Sequence, residues 1–159
     1  MRLTVTDPQE RFLRSDAKHP AFVAGFGAGK SEIMACSAIG DAAHSATALV
    51  GLYAPTYDLV RLITGPRICE KLSEQGIPHK WNKSENIVYT SWPRFGDFLM
   101  RTMDNPERIV GYETYRAHVD EIDTMKTEKA QLAWNKIIAR NRQRPDGIDR
   151  PFNRVSAYT

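Results

Sequence analysis

Long apolar runs are missing from this chain. Nowhere do its 159 residues approach the run of about eighteen apolar residues that a helical membrane span needs. The first residues, "MRLTVTDPQERF", turn charged too soon for a secretory leader. Cysteine is scarce too. Cys36 and Cys69 have no metal-type spacing and make no disulfide framework, so a reducing interior is the expectation. Repeats, low-complexity tracts and linkers are absent, and the formal charge is a modest +3. What is present, 42% apolar and 26% charged residues, suits one soluble globular domain with a real core. The charge is unevenly spread: residues 136–154, "KIIARNRQRPDGIDRPFNR", hold six Lys/Arg against two Asp. Such a patch can meet nucleic acid or a neighbour's nucleotide, or can be a solvated helix face.

Along the chain, strand-like and helix-like segments alternate. "TDPQERFLRS" opens a helix, with Asp7 as cap, Pro8 in the first turn and Glu10 in capping-box position. "PAFVAG" and "ATALVGLYAP" read as strands, and residues 29–43 as a helix with one buried side. "TYDLVRLITG" and "ICEKLSEQG" read as helices ending at Gly65 and Gly76. "NIVYTSW" and "FGDFLMRTM" alternate as strands do. "YRAHV" precedes the acids "DEID", Ala130, Trp134, Ile137 and Ile138 mark one helix face, and "FNRVSAYT" ends the chain as a strand. This order predicts an α/β sheet covered on both faces.

The segment "FVAGFGAGKSEIMACSAI", residues 22–39, carries the chemistry. Gly29-Lys30-Ser31 fits the end of the phosphate-loop pattern, between a strand and a helix as the pattern requires. Ala24 stands at the first glycine position, with Gly25 beside it. Gly25, Gly27 and Gly29 still let backbone N–H groups converge on phosphate oxygens, and the helix adds its positive end. Gly25, Phe26, Gly27, Ala28, Gly29, Lys30 and Ser31 are therefore the expected nucleotide cradle. Within it, Lys30 would reach the β- and γ-phosphates and Ser31 would hold Mg²⁺. About ninety residues on, "YRAHVDEID" supplies an acidic pair: Asp120 for the Mg²⁺ shell and Glu121 to orient and deprotonate water. Arg116 and His118 interrupt the apolar run expected of that strand.

Together these residues resemble the ATPase domain of the large terminase subunit, the DNA-packaging motor of tailed bacteriophages. "LTVTDPQERFL" is similar to the family's adenine-reading segment, which makes Gln9 the base contact. "LYAPTYDLVR", "PERIVGYETYRAHVDEID" and "VSAYT" resemble, in order, the segment after the second strand, the stretch before the acidic pair and the start of the coupling motif. The resemblance spans residues 4–159 and implies a P-loop NTPase fold of the ASCE/RecA-like kind: a three-layer sandwich with a mostly parallel central sheet. It implies an ATPase using ATP and Mg²⁺ to drive double-stranded DNA into a capsid. Its partners would be the portal protein, the small terminase subunit and other copies in a ring, docked at the procapsid portal in the bacterial host cytoplasm. It also implies a single ATPase domain that stops inside the coupling motif, an N-terminal fragment without the nuclease domain.

The phosphate loop departs from the family at one position. Many terminases carry an arginine inside the loop, where this chain has Phe26. The charge-neutralising arginine must come from elsewhere, and Arg140 and Arg142, leaving a buried helix face, are the candidates for a finger reaching a neighbour's γ-phosphate. Ser156 and Thr159 are candidate sensors of γ-phosphate loss. The four histidines have no ligand spacing, and Trp81, Trp92 and Trp134 read as core or groove walls. The alternatives are a helicase-type or other P-loop ATPase, and an assembly module that binds ATP without turnover on its own.

Overall fold

The structure, a computed structural model, describes residues 4–159. Leu3, where the expected adenine-reading segment begins, lies outside the described residues. Helix α1 (Asp7–Leu13) starts one residue earlier than the Asp7 cap implies. Thr6 is the cap residue, and its backbone N–H donates to Gln9 Oε1 at 3.0 Å. Gln9 rather than Glu10 fills this place because Gln9 faces inward, 7% exposed, whereas Glu10 pairs with Arg14 at the surface.

Strand β1 (Ala21–Phe22) leads through the glycine loop into α2 (Lys30–Ala42), followed by β2 (Leu49–Ala54). Next, α3 (Tyr57–Leu59), a π-helical turn (Val60–Thr64) and α4 (Gly65–Glu74) run on without a break. The helix end expected at Gly65 is therefore absent. Glycine stands there because a Cβ would collide with the indole of Trp81. Gly76, at φ 67°, does close α4, in the left-handed conformation that favours glycine.

The strands that follow are β3 (His79–Asn82), β4 (Ile87–Thr90), β5 (Asp97–Thr102), β6 (Arg116–Asp120) and β7 (Val155–Tyr158), with α5 (Thr127–Arg140) between the last two. All seven form one sheet in the order β1-β7-β6-β2-β5-β4-β3. The first five run parallel; β4 and β3 add an antiparallel edge. Helices α2 and α4 cover one face, packing Ile39 and Ile68 over Leu52, Phe98 and Met100 of the sheet. Helix α5 covers the other, over Tyr53, Val119 and Val155. Phe12, Phe22, Met34 and Tyr158 form a third apolar cluster beside α1. This is a three-layer α/β sandwich with a mostly parallel sheet.

The two polar interruptions of β6 have one partner. Asp41, on the last turn of α2, accepts from Arg116 through Oδ1 at 2.5 Å and lies 3.0 Å from His118 Nε2 through Oδ2. Burial opposes ionisation of Asp41, but the hydrogen bond and charge of His118, followed by Arg116, outweigh it and hold the carboxyl below its ordinary range. A strand carrying Arg and His can thus sit in mid-sheet.

Candidate functional site

The loop between β1 and α2 turns through left-handed backbone at Gly27 (φ 74°) and Gly29 (φ 79°). Gly29 is the residue from which α2 starts, so the helix's unpaired first-turn N–H groups open onto the loop. A Cβ on Gly29 would come within 2.7 Å of Gln9 Nε2 and push that amide aside. The Gln9 amide thus lies directly against the glycine loop. Phe26 is wholly exposed at the tip, and Ala28 N–H closes the turn onto Gly25 O at 3.3 Å. Lys30 folds back on the loop, its Nζ donating to Ala24 O at 2.8 Å and Gly25 O at 3.2 Å, 5.6 Å from the centre of the Phe26 ring. Ser31 follows in the first turn of α2, half-buried.

Asp120 is the last residue of β6 and is buried, 7% exposed. Burial foremost, and then the neighbouring Glu121, push its carboxyl up to about 6, while Lys30 across the gap pulls the other way. Glu121 stands in the left-handed region at φ 47°, a conformation that costs about 1–3 kcal/mol for a residue with a side chain. Its backbone N–H donates to Tyr158 O at 2.8 Å, and its carbonyl accepts from Thr124 Oγ1 at 2.8 Å. Beside it, Ala24 N–H donates to Thr159 O at 2.9 Å. The end of β7 therefore touches both the root of the glycine loop and the acidic turn, a contact that lies in backbone carbonyls and has no side-chain signal in the sequence.

The remaining expected residues lie apart from this centre. Arg140 and Arg142 are at the C-terminal end of α5, remote from the acidic turn that precedes its start. Arg142 pairs with Glu113 at 2.6 Å, and Arg140 Nε is buried with no hydrogen-bond partner among the described residues. The basic stretch is thinned further by Lys136, paired with Glu107, and by Arg154, which is buried. The hydroxyl of Ser156 is engaged by Arg154 Nε at 3.1 Å. Trp81 packs against Gly65, Trp134 meets His19 edge-on, and Trp92 is exposed. No helix among the described residues is long and apolar enough to cross a membrane.

Compared by sequence, the chain matches no family profile and no curated protein. Compared by structure, it is similar to the large terminase of a thermophilic bacteriophage. The TM-score is 0.76 at 14% identity, covering 98% of this chain and 39% of that one. The same protein in complex with ADP matches at a TM-score of 0.75 and 17% identity, over 96% of this chain and 38% of that one. The large terminase ATPase domain of Thermus phage P74-26 matches at 0.68 and 16% identity, over 98% of this chain and 64% of that domain. The chain thus spans about two fifths of the first terminase's length. At these identities the likeness is one of fold: the sandwich is that of the large terminase ATPase domains, a P-loop NTPase fold.

Proposed function

We propose that this chain is the ATPase part of a viral DNA-packaging motor, hydrolysing ATP with Mg²⁺ to translocate double-stranded DNA into a capsid. One observation carries the reading: a phosphate-type loop with its lysine lies within electrostatic reach of a buried strand-end carboxylate that has a second acid beside it. Bound phosphate would replace Ala24 O and Gly25 O as partners of the Lys30 ammonium, and the loop N–H groups around Gly27 and Gly29 would take the remaining oxygens. Gln9, already against Gly29, would read the adenine.

The residues present fit Mg²⁺. Asp120 is a buried carboxylate beside a second acid, and burial with the charge of Glu121 outweighs what Lys30 and the Glu121 backbone N–H offset, so the site is short of positive charge. Among the described residues no three His, Cys, Asp or Glu side chains could hold a metal. Ser31 and Asp120 would therefore share the ion with phosphate and water, the ligation Mg²⁺ prefers. When bound, Mg²⁺ would neutralise charge on the β- and γ-phosphates. Glu121, next to Asp120 in the turn that follows β6, would orient the attacking water and accept its proton. In the working motor, Arg140 or Arg142 would serve a neighbour's γ-phosphate. Ring copies, portal protein, small terminase subunit and DNA belong to that assembly.

One observation favours a second reading for the isolated chain, ATP binding without turnover: the loop carries Phe26 and no arginine. Calorimetric ATP affinity and phosphate release, measured on the same protein with Glu121→Gln as control, test both. Binding with slow release that Glu121→Gln abolishes is expected. Failure to bind ATP would overturn both readings.

A further inference from the structure

Helix α1 has seven residues, and a helix that short is not stable by itself. Its N-terminal half presents Gln9 to Gly29, so whatever seats α1 sets the position of that amide. The seat is Arg154, just before β7. It is 6% exposed and has no carboxylate within ion-pair distance among the described residues. Its Nη1 donates to Ser15 O at 2.8 Å and its Nη2 to Phe12 O at 3.3 Å. Its Nε is turned to Ser156 Oγ on β7, and the guanidinium lies 5.4 Å from the centre of the Phe12 ring. A buried cation at the C-terminal end of a helix is favoured by the helix dipole, and here it adds a second kind of donor to Phe12 O, which already accepts from Ser15 N–H at 3.2 Å. The Tyr158 ring also packs against Phe12, edge-on at 5.2 Å between ring centres. Both contacts come from β7 or its doorstep, and a seven-residue helix spans only about 10 Å, so a displacement at Phe12 reaches Gln9 undiminished.

We infer that Arg154 is a positioning residue for base recognition, fixing α1 and through it the Gln9 amide against the phosphate loop. This rests on the reading of Gln9 as the adenine contact. Its role is indirect: it acts through the carbonyl of Phe12 in α1 and that of Ser15 just past the helix end. Lysine cannot replace it fully, because an ammonium has no planar fork to hold two carbonyls and a hydroxyl at once.

The test is the affinity of the chain for ATP, GTP and inorganic triphosphate, in the unaltered protein and in Gln9→Ala, Arg154→Met, Arg154→Lys and the Gln9→Ala/Arg154→Met pair. Losing Gln9 is expected to reduce the ATP-over-GTP preference about tenfold, the worth of one good hydrogen bond. Triphosphate binding is expected to stay unchanged. Arg154→Met is expected to show the same selective loss, Arg154→Lys a smaller one, and the pair no more than Gln9→Ala alone. Arg154→Met weakening all three ligands by one factor would reveal a general structural role and overturn the inference. So would an unchanged ATP-to-GTP ratio in Arg154→Met or, where that variant does not fold, in Arg154→Lys. If Gln9→Ala leaves the ratio unchanged, base reading by Gln9 fails and the inference with it. Intact triphosphate binding would then show the phosphate-loop reading standing alone.

Discussion

Asp41 Oδ2 and His118 Nε2 lie 3.0 Å apart between α2 and the middle of the sheet, with the imidazole fully buried. The other imidazole nitrogen meets Tyr158 Oη at 2.9 Å, and the other carboxylate oxygen meets Arg116. One carboxylate thus reconciles two polar residues of β6 with their burial. Asp41→Asn leaves Arg116 without its counter-charge and is expected to destabilise the fold by about 3–5 kcal/mol in urea unfolding. The pH dependence has a definite sign. The Asp41 pKa is lower folded than unfolded, so its stabilisation is complete above 3.8 and is lost as pH falls through the lower folded value. Asp41→Asn should lack that acid-side loss.

Asp120 has the opposite sign. Its folded pKa is raised from 3.8 to about 6, so folding takes up a proton in that window and stability declines as pH rises across it. Asp120→Asn is expected to be more stable than the unaltered chain above pH 6, by up to about 3 kcal/mol, and equal to it below pH 3.8. The same substitution should weaken Mg²⁺-dependent ATP binding. Melting temperatures at two pH values, with and without ATP and Mg²⁺, check both. A carboxylate whose removal stabilises the empty fold but weakens the loaded one is placed for a ligand.

Lys30→Ala should reduce ATP affinity by roughly ten- to a hundred-fold, the loss of a charge-assisted contact to phosphate. Calorimetry on the folded variant decides it. Phe26→Ala removes only the ring beside the ammonium and should leave affinity within about threefold.

The exposed Phe26 also sets an expectation for turnover. If the γ-phosphate is served in trans, hydrolysis should rise with subunit concentration, by up to the 10³–10⁵ typical of an arginine finger. Subunits carrying Arg140→Ala/Arg142→Ala and subunits carrying Glu121→Gln should each be inactive alone and regain turnover when mixed. Phosphate release at a series of concentrations and mixing ratios reads this out. Fast, concentration-independent release that survives both arginine changes would rule it out.

Gly65→Ala puts a methyl group into the Trp81 indole within a continuous helix. A destabilisation of about 1–3 kcal/mol is expected from overpacking, despite the higher helix propensity of alanine. Trp81→Leu should relieve it. Denaturant midpoints of the single and double variants measure the coupling.

The sequence made the glycine loop and the strand-end acids legible as structure, Gly29-Lys30-Ser31 between β1 and α2 and Asp120-Glu121 at the end of β6, because a nucleotide role for them would demand particular residues at fixed places. Strand β3 escaped, since "HKWN" has no apolar alternation and its place is set by pairing with β4. Gly65 was misleading because glycine serves both helix ends and close packing, and only the distant Trp81 tells them apart. Arg116 and His118 looked foreign to a buried strand until Asp41, some seventy-five residues away in sequence, supplied the counter-charge. Arg154 gave no sign of its link to α1, because both guanidinium nitrogens that reach that segment bond backbone carbonyls some 140 residues away in sequence.

The carbonyls of Tyr158 and Thr159 receive the backbone N–H groups of Glu121 and Ala24 on opposite sides of one strand. These two anchor points are one peptide unit apart, about 3.8 Å between successive Cα atoms. The acidic turn and the root of the glycine loop are therefore spaced by a fixed gauge that no side-chain substitution on β7 can lengthen. A one-residue slip of β7 would move both contacts together. It would also turn every β7 side chain to the opposite face, putting Tyr158 against α5. The sheet can tilt this pair of anchors as a unit; it cannot open the gap between them.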